Sequence, residues 1–229
     1  RTPVGAEHVI DQQRALGLAL TKDRHPRGPW SFALPAWEAE HRWAQQWLDR
    51  QGLRQPWVLN VGAGWPTKVW PKSRQVELLR ACAQRRQRVV LAWGTHTEHD
   101  LAEEIIAEAE HGVLAPPTTI PQLAGLLGRS AVLISGDTGP LHLALAVGTP
   151  AIGLFGPVPA TRNGPRGPGY RNFQAPGAAW ERRDVSKVDL GAISARMVVD
   201  AACAVIAERI HALHAARRAT GATGATGAT

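Results

Sequence analysis

The chain has 229 residues, 44% of them hydrophobic and 20% charged, which is enough apolar material for a sizeable core. That composition, with only two cysteines, excludes intrinsic disorder, a collagen-like fibre and a disulfide scaffold. With 26 Lys and Arg against 19 Asp and Glu the net charge is +7, which suits an anionic partner: nucleic acid, a phosphate-bearing ligand or anionic lipid.

Residues 9–20 read as a short helix with apolar positions at helical spacing, and 21–35 as a polar, proline-bearing connection. A second helix over 37–51 carries Trp43, Ala44 and Trp47 on one face and ends at Gly52. The pattern then changes to short apolar runs at 57–61, 88–93, 113–114, 131–135 and 151–155, separated by helical segments at 73–84, 98–111, 120–127 and 140–147. Strands that are apolar throughout and alternate with helices predict an α/β fold, a doubly wound parallel sheet of Rossmann-like type. A long helix follows at 190–218. The Ala-Thr-Gly repeat over 219–229 has no side chain able to form a core and is expected to be disordered. Cys82 and Cys203 fall in helical segments far apart and read as buried, reduced thiols. Even the richest apolar stretch, 144–155, is broken by glycine and proline and is too short to span a bilayer.

In a doubly wound sheet ligands bind beyond the carboxyl ends of the strands, so the loops there carry the chemistry. The first, V-G-A-G-W-P-T-K-V-W-P over 61–71, has Gly62 and Gly64 for close backbone approach, a hydroxyl at Thr67 and a compact cation at Lys68. The order of a Walker loop is absent, and a glycine-rich turn with a solvated lysine explains this loop equally well. Arginine dominates the basic residues, and Lys68 is one of few lysines, with Lys22, Lys72 and Lys187. The second loop, W-G-T-H-T-E over 93–98, enters a helix that Thr97 can cap and whose positive end suits Glu98. Glu98 is either part of that helix start or an acceptor for a ribose diol. His96 and His99 lack a third ligand at sensible spacing and read as exposed histidines, so no metal is expected. The third segment, S-G-D-T-G-P-L-H-L-A-L-A-V-G-T-P-A-I-G-L-F-G-P over 135–157, delivers Asp137 from a buried strand, sets Pro140 in the first turn of a helix and stops that helix with Gly148 and Pro150. The amides after Thr138 then form an anion site, Asp137 either braces the turn or meets the ligand, and His142 in the first turn is either a ligand contact or a packed side chain. Arg162 and Arg166 add positive charge in the loop that follows.

These motifs, G-A-G-W-P-T-K-V-W-P, W-G-T-H-T-E, D-T-G-P-L-H-L-A-L-A-V-G-T-P and L-F-G-P, in this order and at these separations, resemble glycosyltransferase family 9, the ADP-heptose:lipopolysaccharide heptosyltransferases. The resemblance covers about residues 8–215. It implies the C-terminal, donor-binding half of a GT-B enzyme, which has two facing Rossmann-like domains, without the N-terminal acceptor domain. The division it implies is 1–36 for the end of that other domain and a linker, 37–189 for the donor-binding domain, 190–218 for the last helix and 219–229 for the tail. The same resemblance makes Thr67 and Lys68 donor-phosphate contacts and Glu98 the ribose contact. Asp137 would hold sugar hydroxyls, Thr138, Gly139 and the helix amides would face the diphosphate, and His142 would border the ligand. The loop at 116–120 would border the adenine.

The implied reaction is inverting transfer of heptose from ADP-heptose to the lipopolysaccharide inner core, with Lys68 and Asp137 as the residues closest to catalysis. The family's acidic general base lies in the other half, so the isolated chain is expected to bind donor and not transfer it. No cofactor and no nucleic-acid partner are implied. The expected location is cytoplasmic, with peripheral contact at the inner membrane. The alternatives are another GT-B transferase or a nucleotide-sugar epimerase, since fold alone does not fix function, and a non-catalytic basic nucleotide-binding module.

Overall fold

The computed structural model describes residues 8–21, 34–177 and 188–222. Most of the expected connection, and the tail from 223, lie outside the described residues. Helices α1 (Val9–Thr21) and α2 (Glu38–Arg50) precede strand β1 (Trp57–Asn60). There follow α3 (Lys72–Gln84), β2 (Val89–Ala92), α4 (His96–Ala109), β3 (Val113–Leu114) and α5 (Ile120–Leu127). The second half runs β4 (Val132–Gly136), α6 (Gly139–Ala146), β5 (Ala151–Phe155), α7 (Ala160–Asn163), β6 (Tyr170–Gln174) and α8 (Ala195–Ala222).

The six strands lie in the order β3-β2-β1-β4-β5-β6, all parallel, as expected of a doubly wound α/β sheet. β1 is central, with Trp57 opposite Val89 on β2 and opposite Val132 on β4. Alternate strand residues point to opposite faces, which splits the core into two layers. Trp57, Leu59, Leu91, Ile134 and Leu154 pack with α3, α4 and α8, whereas Val58, Val90, Leu133 and Phe155 pack with α2, α5 and α6. This two-sided burial is why the strands read as continuous apolar runs.

Strand β6 was not foreseen, because Y-R-N-F-Q is an edge strand whose residues are at most half-buried, with no apolar run to mark it. The last helix starts later than expected: a 3-10 turn, Leu190–Ala192, comes first, and α8 begins at Ala195. Its backbone then continues through Ala222, beyond the expected end at Arg218, since each residue added to an existing helix gains a hydrogen bond without a new nucleation cost. Only Cys82 is buried; Cys203 lies on the outer face of α8 and is exposed, so the expectation for it is corrected. Burial pushes the Cys82 thiol up to about 12, which keeps it inert.

Helix α2 ends as its sequence implies: Gly52 takes φ +64° and the Leu53 amide donates back to the Leu48 carbonyl. The helix lies against α5 at Gly125, where an added Cβ would stand 2.7 Å from the Glu40 carbonyl oxygen. Backbone meets backbone there and neither side can yield locally. Gly125→Ala is therefore expected to destabilise the chain by about 1–3 kcal/mol in urea unfolding. Gly17→Ala in α1, where a methyl meets nothing within 4 Å, is expected to be neutral or to stabilise by up to about 1 kcal/mol.

Candidate functional site

The strand order reverses between β1 and β4, so the chain leaves these neighbouring strands in opposite directions and opens a crevice at their carboxyl ends. From β1 comes the loop carrying Thr67 and Lys68, which folds as a 3-10 turn, Pro66–Lys68. From β4 come Asp137 and Thr138, followed by α6. The two loops meet in an ion pair: Lys68 Nζ donates to Asp137 Oδ2 at 2.6 Å and lies 3.3 Å from the Asp137 carbonyl oxygen. Both side chains are largely out of solvent, 16% exposed for Lys68 and 6% for Asp137. Lys68 also lies 5.5 Å from the Trp65 ring centroid, a cation–π distance.

Close approach explains the glycines of the motifs. A Cβ at Gly136 would meet the Lys68 carbonyl oxygen at 2.9 Å, so only glycine lets the turn settle against the end of β4. A Cβ at Gly62 would overlap the Glu98 carboxylate. The loop is held from beneath by Gln75, buried on α3, whose amide donates to the carbonyls of Val61 (3.1 Å) and Trp70 (2.8 Å) at its two ends.

Asp137 also accepts from Asn163 Nδ2, at 3.4 Å to Oδ1 and 3.2 Å to Oδ2, and His142 Nε2 lies 3.9 Å from Oδ1. Burial opposes ionisation of this carboxyl, but the interactions with His142, Lys68 and Asn163 outweigh it and hold its pKa down to about 2. Thr138 stands at the N-cap of α6 without capping it. Its hydroxyl instead joins Ser135 (2.9 Å) and Asn60 Nδ2 (3.4 Å) across the strand ends. The first turn of α6 therefore faces the crevice with no side-chain cap.

A cleft of about 590 Å³ opens beside this pair. Glu98, Thr138, Gly139 and His142 line it, as do Trp93, Ile120 and Leu123, while Thr67, Lys68 and Asp137 do not. Lys68 and Asp137 are joined to its rim through Thr138 and His142, whereas Thr67 is exposed on the turn outside. The expected cap is corrected: Thr95, not Thr97, is the N-cap of α4, in a capping box in which the Thr95 hydroxyl accepts from the Glu98 amide. Glu98 Oε2 in turn accepts from the amides of Gly94 (2.8 Å) and Thr95 (3.1 Å). Thr95 wins because it stands three residues before Glu98, the spacing reciprocal capping requires. Trp93 is pinned by its indole N–H on the Ala115 carbonyl (2.8 Å) and by an edge contact with His99. His96 is exposed. His99 is half-buried, and its nearest acidic neighbours are Asp100 and Glu103, a grouping that the spacing of the two histidines does not reveal.

Two site residues escaped the sequence reading. Asn60 had a signal, being the one polar residue closing the apolar run W-V-L-N. Asn163 had none, because its contact with Asp137 exists only after β5, α7 and β6 are assembled.

A parallel α/β domain with a cleft at its switch point, an uncapped helix start and a lysine–aspartate pair beside it is a doubly wound, Rossmann-like architecture. The sequence model of glycosyltransferase family 9 (heptosyltransferase) matches residues 3–190, and the chain belongs to that family. It is 32% identical over 116 residues to lipopolysaccharide heptosyltransferase 1 of Pseudomonas aeruginosa, covering 48% of this chain and 33% of that protein. To lipopolysaccharide heptosyltransferase 3 of Escherichia coli K12 it is 30% identical over 162 residues, 67% of this chain and 45% of that protein. The chain thus spans between a third and a half of these curated relatives. Its fold is that of a family 9 glycosyl transferase from Veillonella parvula (TM-score 0.75, 20% identity, 91% of this chain and 62% of that one). It is likewise similar to Escherichia coli heptosyltransferase WaaC with ADP (TM-score 0.62, 21% identity, 83% and 55%), a protein also solved with ADP-2-deoxy-2-fluoro heptose (TM-score 0.60, 22% identity, 84% and 54%).

The pair makes stability depend on pH with a definite sign. Asp137 ionises near 3.8 in an ordinary setting and at about 2 in the fold, so its contribution is present above 3.8 and is lost as pH falls through about 2. Asp137→Asn is expected to cost about 1.5–3 kcal/mol at neutral pH, with the difference from the parent vanishing at the acid end of a urea-unfolding series.

Proposed function

We propose that this chain is the donor-binding half of a GT-B heptosyltransferase, taking ADP-heptose and passing heptose to the lipopolysaccharide inner core. The observation that carries the reading is the buried Lys68–Asp137 pair set beside the uncapped start of α6 at the switch point. In the proposed complex the adenine lies along Trp93, Ile120 and Leu123, near Thr118 and Thr119. The ribose hydroxyls meet Glu98, whose Oε2 is already held by two amides, so that its Oε1, on the Gly62 side, faces the ligand. The diphosphate spans the α6 amides at Thr138 and Gly139 and reaches Lys68, with Thr67 at its outer edge. Asp137 and His142 border the sugar.

Breaking the glycosidic bond leaves negative charge on the diphosphate while the sugar becomes oxocarbenium-like. A lysine and a helix N-terminus already fixed in place stabilise that charge without reorganising. Lys68 is paired with Asp137 in the resting site, and the incoming diphosphate then shares the lysine. Transfer also needs a base for the acceptor hydroxyl, which we assign to the acceptor-binding half of the enzyme. Among the described residues no helix is long and apolar enough to cross a membrane. The net charge of +7 supports peripheral contact with anionic lipid on the cytoplasmic face, where the acceptor would be met.

Calorimetry with ADP and with ADP-heptose tests the donor reading. Lys68→Ala is expected to weaken both by about tenfold or more, the worth of one charge-assisted hydrogen bond, with unchanged circular dichroism. Equal affinities in the parent and the variant would remove Lys68 from the phosphate site. Binding of nucleic acid in place of either nucleotide would overturn the proposal as a whole.

A further inference from the structure

We propose that Asn163 is a positioning residue of the donor site and that α1 keeps it in place by latching the segment 160–166 from outside; this rests on the reading of Asp137 as a donor contact. Lys68 fixes one oxygen of the Asp137 carboxylate and leaves the plane of the group free to turn about Cβ–Cγ, a torsion with broad preferences. Asn163 removes that freedom, because its amide reaches both oxygens. Oδ2 is thereby committed to Lys68 and Asn163, and Oδ1 is turned toward His142, which lines the cleft.

Asn163 is the last residue of α7, a helix of 4 residues, too short to be stable by itself. Its position comes from two sides. On the sheet side, Gln174 Oε1 accepts from the Ala160 amide (2.8 Å) and Asn172 Nδ2 donates to the Pro165 carbonyl (2.9 Å), both from β6. On the outer side, His8 Nε2 lies 3.0 Å from the carbonyl of Gly164, the residue next to Asn163, and Arg166 pairs with Asp11 at 2.7 Å. His8 is only 3% exposed, and its Nδ1 accepts from the Ile10 amide (3.2 Å). That bond sets the tautomer, so Nε2 carries the proton and donates to Gly164.

The junction is not tightly packed. A cavity of about 160 Å³ remains beneath α1, lined by His8, Ile10, His142, Leu145, Asn163 and Arg166. The hold of α1 on this segment therefore rests on directional polar bonds, and breaking one shifts Asn163 without dismantling the core. A helix more than a hundred residues away in sequence thus sets the orientation of a carboxylate in the donor site.

The test has one readout that needs no ligand and one that does. In the full chain labelled with ¹³C at aspartate carboxyls, the Asp137 titration midpoint, about 2 in the parent, is expected to rise in Asn163→Ala and in His8→Ala. The double variant is expected to rise no further than Asn163→Ala, because the latch acts through Asn163. In calorimetry both variants are expected to lose roughly three- to tenfold in affinity for ADP-heptose while keeping that for ADP. An unchanged midpoint in Asn163→Ala overturns the positioning role. Additive shifts in the double variant overturn the latch, as does equal loss of ADP and ADP-heptose. If the parent chain binds neither nucleotide, the donor reading fails, and the titration still decides whether Asn163 and α1 orient Asp137.

Discussion

The ion pair between Lys68 and Asp137 joins two loops that the topology drives apart. Parallel neighbours β1 and β4 send their following segments to opposite faces of the sheet, and the divergence creates the crevice. An open crevice with a lysine on one lip and an aspartate on the other would leave both charges solvated and mobile. In this chain the lips are closed at 2.6 Å, over a turn that fits only because Gly136 has no side chain. The same closure brings the loop carrying Trp65 and Thr67 next to the start of α6.

The two carboxylates proposed for the donor site each have a structural task. Glu98 closes the capping box of α4, and Asp137 pairs with a lysine that is largely out of solvent. Neither use exhausts its carboxylate, since each group has two oxygens and several lone pairs. A side chain held by backbone amides or by a lysine is already oriented when a ligand arrives, so ordering it costs little at binding. Bracing the fold is therefore compatible with the proposed binding roles of these residues.

The wall of the cleft and the ion pair beside it are stabilised by different means. Of the apolar wall, Trp93 and Leu123 each pack against one of the two core layers, whereas Ile120 is exposed. The Lys68–Asp137 pair depends on short elements, a 3-10 turn and the one-turn α7, that have little stability of their own. Gln75 holds the first of these, while β6 and α1 hold the second. Removing one such polar anchor is therefore expected to act locally, whereas trimming a core side chain is expected to affect the fold as a whole.

The sequence by itself determined the parallel α/β class, because strands buried on both faces must be apolar at every position, and it marked the loops after β1, β2 and β4 through their glycines and their few chemically distinct side chains. It also placed Glu98, Asp137 and Thr138 where a strand passes into a helix, although it set the cap of α4 at Thr97 and not at Thr95. Only the tertiary structure decided that Lys68 pairs with Asp137 across 69 positions, that Asn163 reaches the same carboxylate, and that β6 and α1 support α7. Those contacts join polar residues in irregular or edge segments, where no hydrophobic period exists to be read. Their partners are chosen by the order of strands in the sheet, a property of the assembled chain.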